Sequence, residues 1–284
     1  KIVDLINGYN IDLVHSTMAY GAMFCGSICK KMGVPHVWFQ HGPASGWMDR
    51  AAAVLPHDGL IVNSHYTGKA QRALENPVRF LIPRKNPIEK ILLGTNVKDW
   101  TVEQRAAEKK RWADKGAFDS SRPLIGMVCR IQKWKGIHLL LDATAQLVED
   151  STVPDFQVIV WGESFKGKEY LEELKDQVKT KNLPVFFAGK TENASLSLST
   201  CEVIVNASIQ PEPFGLSVIE GMMVGAVPVV PNEGGPAEVI AHGKNGLEFK
   251  ARQFTSLAKQ LKTVLCDPDL RKRLSVEGQA VARQ

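Results

Sequence analysis

Nine short runs of β-branched and aromatic residues punctuate the chain, among them GLIVNS, PLIGMVCR, FQVIVWG, CEVIVNAS and AVPVVP, and most show no alternation of apolar with polar positions. A strand buried on both faces reads this way, whereas a strand with one wet face alternates. Ten to twenty residues of helical periodicity separate most of the runs, which is the spacing of parallel strands joined by crossover helices. The chain is therefore expected to be α/β. At 284 residues, 44% of them hydrophobic, it has material for two such sheets. The texture changes most between 96 and 123, where TVEQRAAEKKRWADKGAFDSSRP is charged, helical at first, and then broken by Gly116, Ser120, Ser121 and Pro123. This segment reads as a solvated helix and linker, with a boundary near Phe118 that divides the chain into 1–118 and 119–284.

Composition narrows the function classes. The formal charge of +5 suits a small anionic ligand or weak attraction to anionic lipid, and no basic block is long enough to argue for nucleic acid. The five cysteines include no C-x-x-C pair, so neither a zinc site nor a disulfide framework is indicated. Cys25 and Cys29, one helical turn apart, are expected to be reduced and mostly buried, as suits the cytoplasm. The best apolar run, from Met18 to Ile28, is interrupted by glycine and falls short of the ~20 residues that span a bilayer. Lys1, Asp4 and Asn7 near the start do not read as a signal peptide.

The stretch PEPFGLSVIEGMMVGAVPVV, residues 211–230, holds two carboxylates, Glu212 and Glu220, with seven residues between them. Pro211 and Pro213 keep the helix from starting before about Gly215, whose missing side chain permits unusual backbone angles near a ligand. The first amides of that helix, near Phe214, Gly215 and Leu216, lack intrahelical partners and form an anion site. Helical side chains lean toward their own N-terminus, so Glu220 projects toward the same end that Glu212 precedes. Both carboxylates can then meet a ligand with a phosphate at the amides and hydroxyls on either side, the layout of a nucleotide sugar. A buried Glu220 tied to a backbone amide or a lysine accounts for its position equally well.

After the strand PLIGMVC comes Arg130-Ile131-Gln132-Lys133-Trp134-Lys135-Gly136 and then the apolar-striped helix IHLLLDATAQLV. Ligands of open parallel sheets bind at the carboxyl ends of strands, where this loop must lie. Arg130 offers a planar fork and Lys135 a mobile point charge for a diphosphate. Gly234 and Gly235 follow another strand end, with Pro236 suited to a first helical turn. Taken singly, these are a solvated basic loop and a tight turn; taken together, they point to a phosphate ligand.

The combination CR-x4-KG at 129–136, Glu212 with Glu220, PVVPNEGGPAEVI at 228–240 and GKNG at 243–246 resembles glycosyltransferase family 4, the retaining nucleotide-sugar transferases of the GT-B fold. The earlier strings DLVHS, GVPHVWFQHG and DGLIVNS resemble later strands of that family's acceptor domain, and ILLGTNV stands where the family often has an Asn-Gly-Val element. The resemblance implies two Rossmann-like parallel-sheet domains facing a cleft, the N-terminal one incomplete at its start. Glu212 would bind hydroxyls of the transferred sugar and Glu220 those of the ribose, while Arg130 and Lys135 would hold the diphosphate. Backbone at Phe214, Gly215 and Leu216 would complete the phosphate and sugar contacts, Gly189 and Lys190 would meet the base, and His41 would lie near the reacting sugar.

The same resemblance implies retention of configuration at the anomeric carbon. Fixed cations and helix amides around the departing diphosphate can carry its charge, so no metal and no cofactor are expected. The D-x-D at Asp267 to Asp269 lies between two late helices and reads as a helix cap. A hydrolase using Glu212 and Glu220 would leave Arg130, Lys135 and the glycine turns unused, and no G-x-G-x-x-G follows a strand to suggest a dinucleotide oxidoreductase. The alternative from another class is a non-catalytic nucleotide-sugar-binding module or partner subunit. The expected partners are a nucleotide-sugar donor and a glycan or lipid-linked acceptor, the latter with peripheral association at the inner membrane face; oligomeric state is not legible.

Overall fold

A computed structural model describes residues 1–42, 44, 46–79, 87–116, 119, 121–164 and 167–284. The chain divides into two compact units, Lys1–Gly94 with Glu212–Phe214, and Thr95–Pro211 with Gly215–Gln284.

The first unit opens with α1 (Ile2–Gly8) and then alternates β1 (Val14–Thr17), α2 (Met18–Met32), β2 (His36–Gln40), α3 (Trp47–Val54), β3 (Gly59–Val62), α4 (His65–Arg79) and β4 (Ile88–Lys90). Its four strands pair in chain order and all run parallel. Trp38, Leu60 and Val62 pack from the sheet against Ala19, Ala22 and Ala52 of the helices. The apolar run from Met18 lies in α2, and its Gly26 has a structural reason: an added Cβ would stand 2.5 Å from the Pro56 carbonyl oxygen. The sequence pattern placed the fourth strand at KILLG, but pairing ends where β3 does. Ile91 N–H makes the last bond, to the Val62 carbonyl at 2.9 Å, and Ile91 and Leu92 are exposed.

The second unit contains α5 (Val102–Ala113), β5 (Leu124–Val128), α6 (Ile137–Val148), β6 (Gln157–Trp161), α7 (Glu169–Thr180), β7 (Val185–Gly189), α8 (Ala194–Leu198), β8 (Val203–Val205), α9 (Leu216–Met223), β9 (Val227–Pro231), β10 (Leu247–Phe249), α10 (Phe254–Cys266) and α11 (Pro268–Ala282). Its parallel sheet has the order β10-β9-β8-β5-β6-β7. Read from the other side and counted from β5, this is 3-2-1-4-5-6, the Rossmann order, which reverses between β5 and β8. The strands β6 and β9 are buried along their whole length, as the unalternating runs require. The three-residue edge strand β10 escaped the sequence reading because its run, Leu-Glu-Phe, is too short to show a period.

The helix assigned from sequence to a solvated linker is α5, and it belongs to the second unit. Thr101 caps it, accepting from Gln104 N–H at 3.2 Å, and Gln104 returns the bond to Thr101 N–H. Its inner face is not solvated. Trp112 is 1% exposed and meets Trp161 edge to face at 5.8 Å between centroids. The buried Glu108 carboxylate accepts from Trp112 Nε1 at 2.6 Å, from the Ser197 hydroxyl at 2.8 Å and from Arg111 at 3.2 Å. Two anchors in a charged helix are few enough to disappear in a periodicity count. The division by contacts therefore falls between Gly94 and Thr95, while the expected boundary residue, Phe118, lies outside the described residues. No helix among the described residues is long and apolar enough to cross a membrane.

Candidate active site

In the second unit every strand points the same way, so the loops after β5, β6, β7, β8 and β9 emerge along one edge. β5 and β8 flank the reversal of strand order, the place where open parallel sheets commonly bind ligands. Arg130 lies two residues past β5 and lines a cavity of about 420 Å³ together with Trp161 at the end of β6, Gly162, Glu163 and Ser164 after it, and Lys190 after β7. Arg130 and Lys190 are exposed at its mouth. Gly162 is required for this arrangement: φ is +145° and an added Cβ would lie 1.8 Å from the Cys129 carbonyl oxygen. Its N–H donates to the Gly189 carbonyl at 2.8 Å, tying the ends of β6 and β7 together. Gly189 itself has φ of +71° and open space where a side chain would be.

Lys135 ends a single 3-10 turn, Lys133–Lys135, with its ammonium 4.1 Å from the Trp134 ring centroid. Trp134 is fixed from two sides, its indole donating to Gln132 Oε1 at 2.7 Å and its carbonyl accepting from Ile209 N–H at 2.8 Å. The second bond hangs the loop after β8 on the loop after β5.

Gly215, at φ +85° and ψ +52°, caps α9. Its missing side chain leaves room for Pro236, whose Cγ would stand 2.6 Å from an added Cβ. The Gly-Gly-Pro turn after β9 thus packs against the start of α9. Leu216 begins the helix, partly exposed; its amide and that of Ser217 precede the helical ladder, while Val218 N–H already donates to the Gly215 carbonyl at 2.8 Å.

Glu220, half-buried on α9, accepts from the Thr95 hydroxyl at 3.2 Å. The polar group near this carboxylate is therefore a neutral hydroxyl, and among the described residues no cation pairs with it. Burial pushes its carboxyl above the usual carboxylate range, with the Thr95 bond acting in the other direction. A carboxylate left this way is under-compensated, and a ligand's hydroxyls would restore hydrogen bonds to its charged form.

Glu212 and Phe214 are grouped with the first unit, Glu212 half-buried and Phe214 5% exposed. His41 also belongs to the first unit; it is exposed, its ring 5.0 Å from that of Phe39, and its carbonyl accepts from Asn63 Nδ2 at 3.0 Å. Gln40, wholly buried just before it, donates to Asp49 at 3.2 Å, and Asp49 accepts from Gly46 N–H at 2.8 Å. The structure thus gathers Arg130, Lys135, Gly189, Lys190, Gly215, Leu216 and Glu220 in one unit, and Glu212, Phe214 and His41 in the other. Asp267 of the D-x-D accepts from Leu270 N–H at 2.9 Å as the N-cap of α11, as its sequence context suggested. Among the described residues no three His, Cys, Asp or Glu side chains cluster in a way that would hold a metal ion.

Sequence reasoning missed Thr95, Gly162 and Arg252. A glycine directly after VIVW was a readable signal for Gly162; the other two gave none. Arg252 occupies the left-handed region at φ +62°, a conformation that costs a non-glycine residue about 1 kcal/mol or more. Its guanidinium forks onto both oxygens of Glu233, with Nη2 to Oε2 at 2.8 Å, and donates to the Ile209 carbonyl at 3.2 Å. One side chain thereby joins the loops after β8, β9 and β10. Arg252→Ala is expected to lower the stability of the second unit by about 1 kcal/mol, since the pair is partly exposed. Arg252→Gly should cost less than Arg252→Ala because it removes the strain together with the latch. Urea denaturation of both variants tests this, and equal losses would show that the strain is immaterial.

Residues 108–281 match the model of a family described as glycosyl transferases group 1. Over 190 residues the chain is 31% identical to D-inositol 3-phosphate glycosyltransferase of Corynebacterium urealyticum, covering 65% of this chain and 42% of that protein. It is 26% identical over 251 residues to alpha-1,3/1,6-mannosyltransferase ALG2 of Dictyostelium discoideum, covering 78% and 56%. The chain thus spans about half the length of these relatives. Among solved structures, Anabaena HepE in complex with UDP-glucose superposes with a TM-score of 0.85 at 22% identity, over 100% of this chain and 77% of that one. Sucrose-phosphate synthase from Thermosynechococcus elongatus gives 0.79 at 21%, over 99% and 71%. The fold, two Rossmann-like parallel-sheet units, matches that of these GT-B structures, and the chain belongs to the glycosyl transferases group 1 family.

Proposed function

We propose that the chain is a retaining glycosyltransferase that moves a hexosyl unit from a nucleoside diphosphate sugar to a hydroxyl of a glycan or lipid-linked sugar, without a metal ion. The observation that carries this reading is that Arg130, Lys135 and the start of α9 follow β5 and β8, the strands that flank the reversal of strand order, with Lys190 on the same edge in the cavity that Arg130 lines. Supporting it are the UDP-glucose complex of HepE and the transferase names of the two relatives.

In this reading Arg130 and Lys135 meet the diphosphate, and amides at Gly215 and Leu216 face its oxygens. Glu220 takes the ribose hydroxyls, and Gly189 and Lys190 border the base. Glu212 holds hydroxyls of the hexose, with Phe214 completing the sugar contacts and His41 near the reacting centre. The anomeric C–O bond to the diphosphate breaks as a C–O bond to the acceptor forms on the same face. The acceptor's proton passes to a leaving-group oxygen. Charge grows on the diphosphate during the step, so preformed cations and helix amides act there with no reorganisation. Residues 1–94 hold ten lysines and arginines against six acids, a balance that suits an acceptor presented at an anionic membrane surface.

Calorimetric titration of UDP, GDP and ADP with EDTA present tests the reading. One nucleotide is expected to bind, to weaken about tenfold or more in Arg130→Ala, and to be released from its nucleotide sugar on turnover. Failure of all three to bind would overturn the reading, and binding without release or transfer would leave a nucleotide-sugar-binding module.

A further inference from the structure

The second unit has another cavity of about 420 Å³, bounded by Arg105, Glu202, Val224, Gly225, Arg271 and Lys272. Glu202 immediately precedes β8, and Val224 and Gly225 precede β9, so the cavity lies at the amino edge of the sheet, opposite the edge with Arg130 and Lys190. Its cations are poorly compensated. Arg105, half-buried, spends Nε on the Trp100 carbonyl at 3.2 Å and Nη1 on the Val224 carbonyl at 3.0 Å. Arg271, also half-buried, donates Nη1 to the carbonyls of Val264 and Leu265. Every one of these acceptors is neutral. Lys272 is exposed and has no ion-pair partner among the described residues. Glu202, the single acid in the wall among the described residues, accepts from Leu124 N–H at 2.7 Å and faces Lys109 at 3.9 Å. Asp267, nearby at the start of α11, is engaged as the cap on Leu270.

Two half-buried guanidinium groups without a carboxylate partner among the described residues carry a desolvation cost that their carbonyl acceptors offset only in part. An anion between them and Lys272 would offset that cost. Arg105 Nη2 and the Nε and Nη2 of Arg271 are the donors not engaged by those carbonyls, and they suit the several oxygens of a phosphate; with Glu202 facing Lys109, the two guanidinium groups and the Lys272 ammonium leave positive charge for a dianion to offset. The rest of the wall suits a polar guest: the Ser275 hydroxyl donates to the Gly225 carbonyl at 2.6 Å and Gln279 to the Met223 carbonyl at 3.1 Å. Those bonds, with that of Arg105, hold the carbonyls at and just past the end of α9, the helix whose first turn belongs to the candidate active site.

We propose that this cavity is a second anion site, separate from the nucleotide site, and that it binds a phosphate dianion, free or as a small monoester. The test is calorimetric titration of inorganic phosphate and, separately, glycerol 2-phosphate into the full chain and into Lys272→Glu, Arg271→Lys and Arg130→Ala. Saturable binding is expected, weakened about tenfold or more by Lys272→Glu and Arg271→Lys and changed less than about twofold by Arg130→Ala. Tighter binding of the ester would identify a phosphorylated metabolite as the ligand, and equal or weaker binding of the ester would identify free phosphate. Absence of saturation at millimolar concentration would overturn the proposal. So would binding that vanishes in Arg130→Ala but survives Lys272→Glu, because it would belong to the opposite edge. Lys272 is exposed and Lys272→Glu therefore folds; should Arg271→Lys unfold because Arg271 holds the end of α10, Lys272→Glu alone decides.

Discussion

Gly136→Ala is expected to destabilise the second unit by about 3–5 kcal/mol, at the upper end of what single substitutions cost. Gly136 has φ +69° and joins the turn at Lys133–Lys135 to α6. An added Cβ would lie 1.9 Å from the Ala207 carbonyl oxygen, 2.9 Å from its carbon and 3.1 Å from Ile209 Cγ2. The obstruction cannot withdraw cheaply. Asn206 N–H is bonded to the Val229 carbonyl, Ser208 N–H to Asn206 Oδ1 and Ile209 N–H to the Trp134 carbonyl, so the loop after β8 is fixed on both sides of Ala207. Either the loops after β5 and β8 separate or α6 shifts in a close-packed core where Ile137 and Leu140 are wholly buried. Gly243→Ala is the matched control: φ is +75°, but nothing lies within 4 Å of the added carbon, so only the backbone penalty of roughly 1–2 kcal/mol remains. Urea denaturation of the two variants separates the terms. A loss in Gly136→Ala no larger than that in Gly243→Ala would mean that the loop after β8 is mobile, contrary to its hydrogen bonds.

That contact illustrates what a sequence can carry. The order of strands and helices was legible because each buried strand leaves an unalternating run, and Arg130, Lys135 and Glu220 stood out because charged residues beside such runs need a reason. The glycines at 136 and 215 could be flagged as permissive but not explained, since Ala207 and Pro236 come from elsewhere in the chain. Thr95 lies 125 residues from Glu220, and no local pattern connects them. Arg252 breaks a local rule, a charged non-glycine residue at positive φ, and its reward is the fork onto Glu233. The helix α5 was read by its charge, yet Trp112 and Glu108, two of its twelve residues, decide which unit it joins.

The two arginines reach their partners in different ways, and the difference bears on how the second unit is held. Arg252 binds a carboxylate and is strained to do so, whereas Arg105 donates only to carbonyls, including Val224 at the end of α9. A cation at a helix C-terminus is favourable to the helix dipole. The start of α9 is set by Gly215 against Pro236 and its end by Arg105, Ser275 and Gln279, so the helix that carries Glu220 is fixed at both ends by residues distant in sequence.

Glu220→Ala is expected to weaken binding of the preferred nucleoside diphosphate by about 1.5–3 kcal/mol, from about tenfold to more than a hundredfold, and Glu220→Gln to weaken it less. The carboxylate accepts two hydroxyls well, while the amide offers one acceptor atom and keeps the Thr95 bond. The pH dependence is more discriminating. Burial raises the Glu220 carboxyl in the folded state, so between the unfolded value of about 4.3 and its raised folded value the native protein binds the extra proton. Stability therefore rises as pH falls through that window and is lower above it. In the proposed reading binding moves the other way, because the ligand's hydroxyls would need the charged form and lose it over the same window. The ratio of wild-type to Glu220→Gln affinity should shrink as pH is lowered, with the ligand's own phosphate titration cancelling between the two proteins. At neutral pH, unliganded Glu220→Gln should be at least as stable as wild type. A structural carboxylate would give the opposite pattern: a variant less stable without ligand and nucleotide affinity within about twofold of wild type at every pH, which would remove Glu220 from the site.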